Sequence, residues 1–436
     1  MSRLRCPRCN AKIPEFYSYC PNCSLTLQIE YCPNCREQQI FSTDSKCLRC
    51  GFRPSILVPT TALPPPPPPP PPEIQSGESA EILSVVKRRF QVLEAVNEPG
   101  FLSFSVADDF NKRDFEALVK DLDEKGYIPF LRRRSGRTVV TIGKIPPEHL
   151  RAGSLSLRFL GMKRIWLWLF ITTCLTVLLS GYFMSIDLVE KRLMDPSANA
   201  LIISTVSFMV SMIAIFGVHE LGHKLACVFH KSESTPPYFM PGPPPLGTFG
   251  AVIFQSKPII NRDELFDLGV SGPLAGLIVA ATVSAIGLRF SMVSNYPIEG
   301  LVELQTSFFF NLIENLVAPN VPTGYTLIAG PVAYAGWAGF LLTYLQLLPV
   351  WQLDGAHVSY AVFGKKFQKY LWIIGLILMF LSGFLLMALL ILTFMSMQRS
   401  VHPELLDEVS PLSTSRKIFY SIVLLATIGS MTISII

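Results

Sequence analysis

Two histidines and a glutamate lie inside an apolar stretch that begins at Leu201, in the sequence HELGH at 219–223. Residues four apart share one face of a helix, so His219 and His223 can bind one metal ion. Glu220, about 100° round the helix, can reach a water molecule on that ion and act as a general base. Zinc lowers the pKa of such a water to about 7, so the motif predicts peptide hydrolysis. The alternative is two structural histidines, but ionisable groups in a spanning helix cost about 2.5–3.5 kcal/mol each, which favours a functional role.

A third zinc ligand has to come from another apolar segment. Asp354 fits, because it follows an apolar run that returns the chain to the side where His219 and His223 lie. Two histidines and one carboxylate leave a fourth coordination position for water. The charges of Zn²⁺, Asp354 and Glu220 sum to zero, which lowers the cost of burying them. The other interpretation of Asp354 is a helix cap, which is compatible with metal binding.

The composition points to a membrane protein. Of 436 residues, 50% are hydrophobic and 16% charged, which is too apolar for an ordinary soluble enzyme. We expect a polytopic α-helical membrane protein with about six spans and one lipid bilayer around them. The predicted spans are 164–186, 199–230, 267–288, 325–350, 370–395 and 416–436.

Charges beside these spans predict the orientation. Basic residues cluster at 132–134 before the first span and at Lys365, Lys366 and Lys369, whereas the loops around Asp187 and Glu303 carry net negative charge. The positive-inside rule then places both chain ends in the cytoplasm. The amino terminus lacks the apolar core of a cleavable signal peptide.

Eight of the ten cysteines precede residue 51, in four Cys-x-x-Cys pairs. This spacing is typical of zinc ribbons, whose reduced thiolates also indicate a cytosolic location. We predict a double zinc ribbon at 1–54, with two structural zinc ions that supply the folding energy. A redox role is the alternative, and the scarcity of basic residues favours a protein partner over nucleic acid. The predicted ligands are Cys6, Cys9, Cys20 and Cys23 in one ribbon, and Cys32, Cys35, Cys47 and Cys50 in the other.

A polyproline linker and a small domain follow the ribbons. The run of prolines at 64–72 within the linker 55–78 predicts an extended spacer of roughly 28 Å. Residues 79–150 are expected to form a soluble α/β domain of the split βαβ kind, without catalytic residues, ahead of a transmembrane metalloprotease domain at 160–436. The predicted elements of the small domain are helices at 81–95 and 111–125 and strands at 101–106, 127–131 and 138–142.

Residues 160–395 resemble the site-2 protease family of intramembrane zinc metalloproteases, in the subgroup with a soluble amino-terminal domain. The resemblance rests on HELGH at 219–223, GTFG at 247–250, SGPLAG at 271–276, AGWAG at 335–339 and LDG at 353–355. It implies that His219, His223 and Asp354 bind one catalytic zinc ion and that Glu220 is the general base. It also implies cleavage of membrane-spanning protein substrates, often to release a transcription regulator. The double ribbon is an addition to this pattern.

Two positions depart from the family pattern. Gln346 stands where the family has an asparagine that contacts the substrate or the oxyanion, and Ala356 replaces the second glycine after the aspartate, ahead of His357, which the sequence assigns to a helix start rather than to the metal. The prolines around 236–245 forbid a helix, and 248–255 is expected to form a strand to which an unwound substrate adds. The predicted substrate-binding residues are therefore Gln346, Gly247, Thr248, Phe249 and Gly250.

Two other functions compete with an intramembrane zinc endopeptidase. One is a membrane protease for soluble or prenylated peptides with a distant glutamate ligand, but the best downstream acid is Asp354. The other is a catalytically inactive membrane chaperone or scaffold of the same fold. The presence of His219, Glu220, His223 and Asp354 argues against the second, and Gln346 alone argues for it.

Overall fold

The computed structural model describes residues 29–31, 38–40, 76–98, 101–134, 136–144, 164–255, 257–295, 303–351, 353–397 and 405–431. The chain divides into two compact units, residues 1–69 and 70–436. In the first unit, β1 (Ile29–Tyr31) pairs antiparallel with β2 (Gln38–Ile40). The eight ribbon cysteines and the proline run lie outside the described residues, so the ribbons, their zinc ions and the linker stay predictions.

The second unit begins with a small α/β domain, called the soluble domain below (residues 76–144). Its helices are α1 (Ser76–Lys87) and α2 (Lys112–Asp123), and its strands are β3 (Val92–Glu98), β4 (Phe101–Val106), β5 (Tyr127–Arg134) and β6 (Arg137–Lys144). The four strands form one sheet in the order β3-β4-β6-β5, with antiparallel neighbours throughout. Because β6 lies between β4 and β5, the segment β4-α2-β5 is a split βαβ unit.

One predicted helix of this domain is wrong in its second half. The helix expected at 81–95 ends at Lys87, and Val92 begins β3. Residues 92–98 pair along the whole of β4, with one irregularity at Val92/Glu94. Their local preference gives way to this pairing, since strand formation depends strongly on tertiary context.

Residues 164–431 are called the membrane part below. Among its described residues, three helices are long and apolar enough to cross a bilayer: α3 (Ile165–Glu190), α4 (Ala198–Phe229) and α5 (Arg262–Arg289). Large apolar side chains on α3 and α4, such as Trp168 and Ile203, are more than 60% exposed, as expected for surfaces that face lipid. The part continues with α6 (Phe308–Val317), α7 (Pro331–Leu347), α8 (Asp354–Phe363), α9 (Lys365–Leu381), α10 (Leu385–Met397) and α11 (Thr414–Ser430).

Among the described residues, three helices could therefore cross a bilayer by length and composition, and the count of six spans stays a prediction. The span expected at 370–395 is interrupted at 382–384, which separates α9 from α10. Helices α7, α9 and α11 have 17 residues each. At 1.5 Å per residue, each is about 25 Å long, which is shorter than the hydrocarbon core of about 30 Å.

Two small antiparallel pairs complete the fold. β7 (Tyr238–Pro241) pairs with β8 (Thr248–Val252) between α4 and α5, as the prolines and the apolar run at 248–255 predict. β9 (Met292–Ser294) pairs with β10 (Thr326–Ile328) across the segment that contains α6. Helix α5 packs against α4, α7 and α8, so it is the central helix of the membrane part.

Candidate metal centre

Two imidazoles from α4 meet one carboxylate from the start of α8. Asp354 Oδ2 lies 3.4 Å from His219 Nε2 and 3.3 Å from His223 Nε2. The two Nε2 atoms are 3.2 Å apart. One ligand atom from each residue lies within 4.8 Å of the others, so the three can hold a single metal ion.

The hydrogen bonding of the ligand side chains also fits a bound cation. Asp354 Oδ2 and His219 Nδ1 are buried and have no hydrogen-bond partner among the described residues. A buried polar atom without a partner is costly, and a cation between the three residues would satisfy the carboxylate. Asp354 follows the N-cap residue Leu353, and no side-chain capping bond forms there. Asp354 is the first residue of α8, where its negative charge also suits the helix N-terminus, so this role is compatible with metal binding.

His223 is oriented by the backbone of α5. Its Nδ1 lies 2.7 Å from the carbonyl oxygen of Leu268 in a buried hydrogen bond. Because a carbonyl only accepts, Nδ1 carries the proton, and the lone pair of Nε2 is free to bind a metal. Nothing in the sequence marks Leu268, since its side chain has no part in this contact.

Three glycines of α5 allow the close approach of all three ligand residues. A Cβ atom at Gly272 would lie 2.1 Å from His223 Nε2, and one at Gly269 would lie 2.8 Å from the Asp354 carbonyl oxygen. At Gly276 the added atom would lie 3.3 Å from His219 Nδ1. Gly272 and Gly276 thus pack α5 closely against the helix that carries both histidines. Gly269 was missed, although it precedes Gly272 by one helical turn on the same face.

Glu220 is buried, with 5% of its surface exposed, next to both imidazoles along α4. The backbone N–H of Ile253 faces its carboxylate. The next residue faces the opposite way, because Phe254 O accepts a bond from Thr235 N at 2.9 Å on the β7 side. The Ile253 amide therefore faces the candidate base, a direction that the sequence left open.

The predicted substrate residues at 247–250 differ in accessibility. Thr248 is 5% exposed, and its hydroxyl donates to the Met240 carbonyl at 2.8 Å and accepts from Gly250 N, so it stabilises the β7–β8 turn. Gly247 packs against α3, where a Cβ atom would lie 2.6 Å from Val177 Cα. Phe249 is 69% exposed. The second edge of β8 pairs with no strand among the described residues.

Gln346 and His357 lie near the ends of the helices that carry Asp354 into the site. Gln346 is half-buried in the last turn of α7, which ends at Leu347. His357 lies in the first turn of α8, and its β-carbon lies 3.1 Å from the position of a Cβ atom at Gly269. His357 is therefore packed on α5 beside the site, and its Nδ1 has no hydrogen-bond partner among the described residues.

Residues 207–382 match the model of Peptidase family M50, a segment that contains all three ligand residues and Glu220. Among curated proteins, the chain is similar to "Probable zinc metalloprotease EGY1, chloroplastic" from Oryza sativa subsp. japonica, with 32% identity over 168 residues, or 37% of this chain and 28% of that protein. The protein of the same name from Arabidopsis thaliana is 28% identical over 50% of this chain and 41% of its own length.

A third relative, "Probable zinc metallopeptidase EGY3, chloroplastic" from Arabidopsis thaliana, is 23% identical over 54% of this chain and 43% of its own length. The chain thus covers less than half of each of these relatives. No solved structure matches the chain significantly. Over part of its length the chain is thus similar to Peptidase family M50 and to proteins named as zinc metalloproteases. Its described residues include three helices that could cross a membrane and three side chains that could hold a metal ion.

Proposed function

We propose that this protein is an intramembrane zinc metalloendopeptidase that cleaves membrane-spanning segments of other proteins, as in regulated intramembrane proteolysis. The proposal rests on the convergence of His219, His223 and Asp354 beside the buried Glu220. Both histidines and Glu220 lie on α4, which is long enough to cross a bilayer. A bound zinc ion supplies a Lewis acid for the activation of water and of the scissile carbonyl. A protease with soluble substrates has no need to place this centre within such a helix.

Glu220 moves the proton in this reaction. Its carboxylate, which the Ile253 amide faces, accepts a proton from the water that attacks the peptide carbonyl carbon. It then donates that proton to the leaving nitrogen as the C–N bond breaks. The His223 ring stays in place throughout, because the Leu268 carbonyl holds it and Gly272 leaves no space between this ring and α5.

The open edge of β8 supports a role in substrate binding. A helical substrate hides its backbone amides, so it has to unwind before a peptide bond is attacked. An added strand along this edge gives the unwound segment new hydrogen-bond partners. The backbone groups of Ala251 and Ile253 point to this edge by strand alternation. Because Ile253 lies against Glu220, a substrate strand along this edge passes the base. Phe249 is exposed at the irregularity in the β7–β8 pairing, and Gln346 is the side-chain amide proposed to steady the bound segment.

Three further statements belong to the same proposal. The chain binds three zinc ions, one at the catalytic centre and two in the ribbons, because eight thiolates at this spacing fill two four-coordinate sites. Both chain ends face the cytoplasm, as the charged flanks and the reduced thiolates indicate. The ribbons bind a protein partner.

Exchange of Glu220 for glutamine tests the catalytic assignment. Glu220→Gln removes the base and leaves both imidazoles, so we expect three zinc ions per chain and no cleavage. Metal analysis of the purified full chain gives the zinc content, and membrane stubs that accumulate in cells with the variant identify substrates for a purified assay. Glu233→Gln, an exposed glutamate outside the site, is the matched control and should cleave as the parent does. Full cleavage by Glu220→Gln contradicts the assignment.

A further inference from the structure

The segment that precedes α11 joins the soluble domain to the membrane part. We call residues 405–412 the strap. Leu406 O accepts a bond from Leu131 N of β5 at 2.7 Å, and Glu408 N donates to Leu131 O at 3.2 Å. On its other side, Leu406 N donates to Ile259 O at 3.0 Å, just before α5 begins. The strap is thus hydrogen-bonded to the edge of the soluble sheet and to the entry of α5 at once.

The strap is also buried on both sides. Leu406 is 1% exposed within the hydrophobic core of the soluble domain, and Leu405 is fully buried in a core formed with α4, α5 and α11. Asp407 is fully buried, and its Oδ1 accepts bonds from Val409 N and Ser410 N. The strap therefore docks through apolar burial as well as backbone pairing.

Side chains of α2 hold the first turn of α5 directly. Lys112 Nζ lies 2.8 Å from Asp263 Oδ2, and Asn261 Nδ2 donates to Glu116 Oε1 at 2.7 Å. The Lys112–Asp263 pair is half-buried, at 20% and 13% exposure, so solvent screens it less than an exposed pair. The position of the soluble domain is thereby tied to the start of the central helix.

Arg416, in the first turn of α11, links this contact to the next turn of α5. Its Nη1 lies 3.3 Å from Asp263 Oδ2, and its Nε donates to Asp267 Oδ1 at 2.7 Å. Asp267 Oδ2 also hydrogen-bonds His230 Nε2 at 2.8 Å, at the end of α4. Asp267 therefore ties α5 to the same helix that carries both metal-binding histidines.

Leu268 directly follows Asp267, and its carbonyl is the group that orients His223. We propose that the soluble domain regulates the metal centre through this turn of α5, with Arg416 and Asp267 as positioning residues. The docked domain holds Asp263 through Lys112, and Arg416 joins Asp263 to Asp267. This turn of α5 fixes the Leu268 carbonyl, and the carbonyl fixes the His223 ring. A signal that undocks the domain weakens metal binding and turnover together. The inference rests on the proposed function for its purpose, but not for its test.

Zinc affinity is the readout, since it can be measured whether or not the chain cleaves anything. Apoprotein of the full chain is titrated with zinc against a chromophoric chelator. The same titration of His223→Ala, which lacks the catalytic site, gives the contribution of all other zinc sites and is subtracted. We expect Arg416→Gln to weaken the catalytic site about tenfold, the low end for loss of an outer-shell partner. Arg416→Lys, which keeps the charge, should recover part of the loss.

The soluble-domain end is tested with Lys112→Glu, which places like charges next to each other at Asp263. We expect a loss of zinc affinity similar to that of Arg416→Gln. Lys120→Glu, at an exposed position on the same helix, is the matched control and should titrate like the parent. Docking is followed with a carbodiimide, which joins an amine directly to a carboxylate. Lys257 Nζ lies 2.8 Å from Asp123 Oδ2 across the two parts, so this cross-link reports the docked state.

In the parent the Lys257–Asp123 cross-link should form, and in Lys112→Glu it should fall in parallel with zinc affinity. Arg416→Gln should keep the cross-link, which shows that the chain is folded, and lose affinity. Parental affinity in Arg416→Gln, or in Lys112→Glu with the cross-link lost, overturns the proposal. If affinity falls as expected but no variant or parent cleaves a membrane substrate, the coupling stands and the protease function fails.

Discussion

The soluble domain and the metal centre use burial in opposite ways. In the soluble domain, large apolar side chains fill the core, among them Phe115, Leu118 and Leu122, which are fully buried. Its charged pairs lie at the surface, as Arg89 and Asp121 do at 39% and 38% exposure. At the metal centre the buried groups are two imidazoles and the Glu220 carboxylate, beside the half-buried Asp354, and α5 contributes glycines rather than side chains.

This difference determines what a substitution does in each region. An apolar core loses free energy roughly in proportion to the volume removed, and neighbours can partly relax. A metal centre requires fixed ligand positions, so one added methyl group at a contact can remove the function while the fold persists. The comparison predicts that small additions on α5 are more harmful to function than the loss of a charged pair on the soluble domain.

The largest effect is expected from Gly272→Ala. The added methyl group would lie 2.1 Å from His223 Nε2, the atom that faces the metal, so the ring has to move. We expect loss of catalytic zinc and of cleavage, measured by zinc titration and by a membrane-substrate assay. Gly77→Ala, where a Cβ atom meets nothing within 4 Å, is the glycine-to-alanine control and should behave as the parent. Parental zinc affinity in Gly272→Ala would show that the ring does not need this contact.

A large but partial effect is expected from Gln346→Ala. If the side-chain amide steadies the unwound substrate or the oxyanion, its loss should lower turnover about a hundredfold or more, since one oxyanion donor contributes about 2.7–4 kcal/mol. Zinc content should not change, and Gln346→Asn should be much milder. Steady-state kinetics on a helical membrane substrate provide the measurement. A parental rate in Gln346→Ala separates Gln346 from the family's asparagine.

A smaller effect is expected from Gly276→Ala. The added Cβ atom would lie 3.3 Å from His219 Nδ1, which is tight but requires a shift of only a few tenths of an ångström. We expect catalytic zinc to bind several-fold more weakly than in the parent and far more tightly than in Gly272→Ala. The order of the two variants in one zinc titration is the test. The reverse order would mean that His219 and α5 do not pack as the structure shows.

The sequence was enough to predict which side chains meet at the candidate metal centre. HELGH spacing places His219 and His223 on one helical face, and chain direction returns Asp354 to the same side, where the structure brings all three together. Contacts made by backbone groups could not be predicted from the sequence. The Leu268 carbonyl and the Ile253 amide act through groups that every residue has, so only the fold shows which ones reach the site.

The sequence predicted the wrong type of element where tertiary contacts determine the structure. Residues 92–98 are compatible with a helix, and their pairing with β4 makes them a strand. The span expected at 370–395 is apolar throughout, and hydropathy alone does not show the break at 382–384, although Gly383, at a φ of 83°, adopts a conformation that favours glycine. Gly269 could have been recognised, because with Gly272 and Gly276 it repeats at helical spacing on one face.

The smallest effect is expected from Arg89→Ala in the soluble domain. Arg89 Nη2 lies 3.2 Å from Asp121 Oδ2, a distance similar to that between Arg416 Nη1 and Asp263 Oδ2. Both partners in the soluble domain are more than a third exposed, so the pair should contribute about 1 kcal/mol or less to stability. Amide hydrogen exchange in β5 and β6 should change little, and zinc affinity not at all. Arg416 reaches two aspartates of α5 at 24% exposure, and its loss should reach the metal. Equal zinc affinities in Arg89→Ala and Arg416→Gln would mean that the ion pairs of the two regions do not differ in their effect on the metal centre.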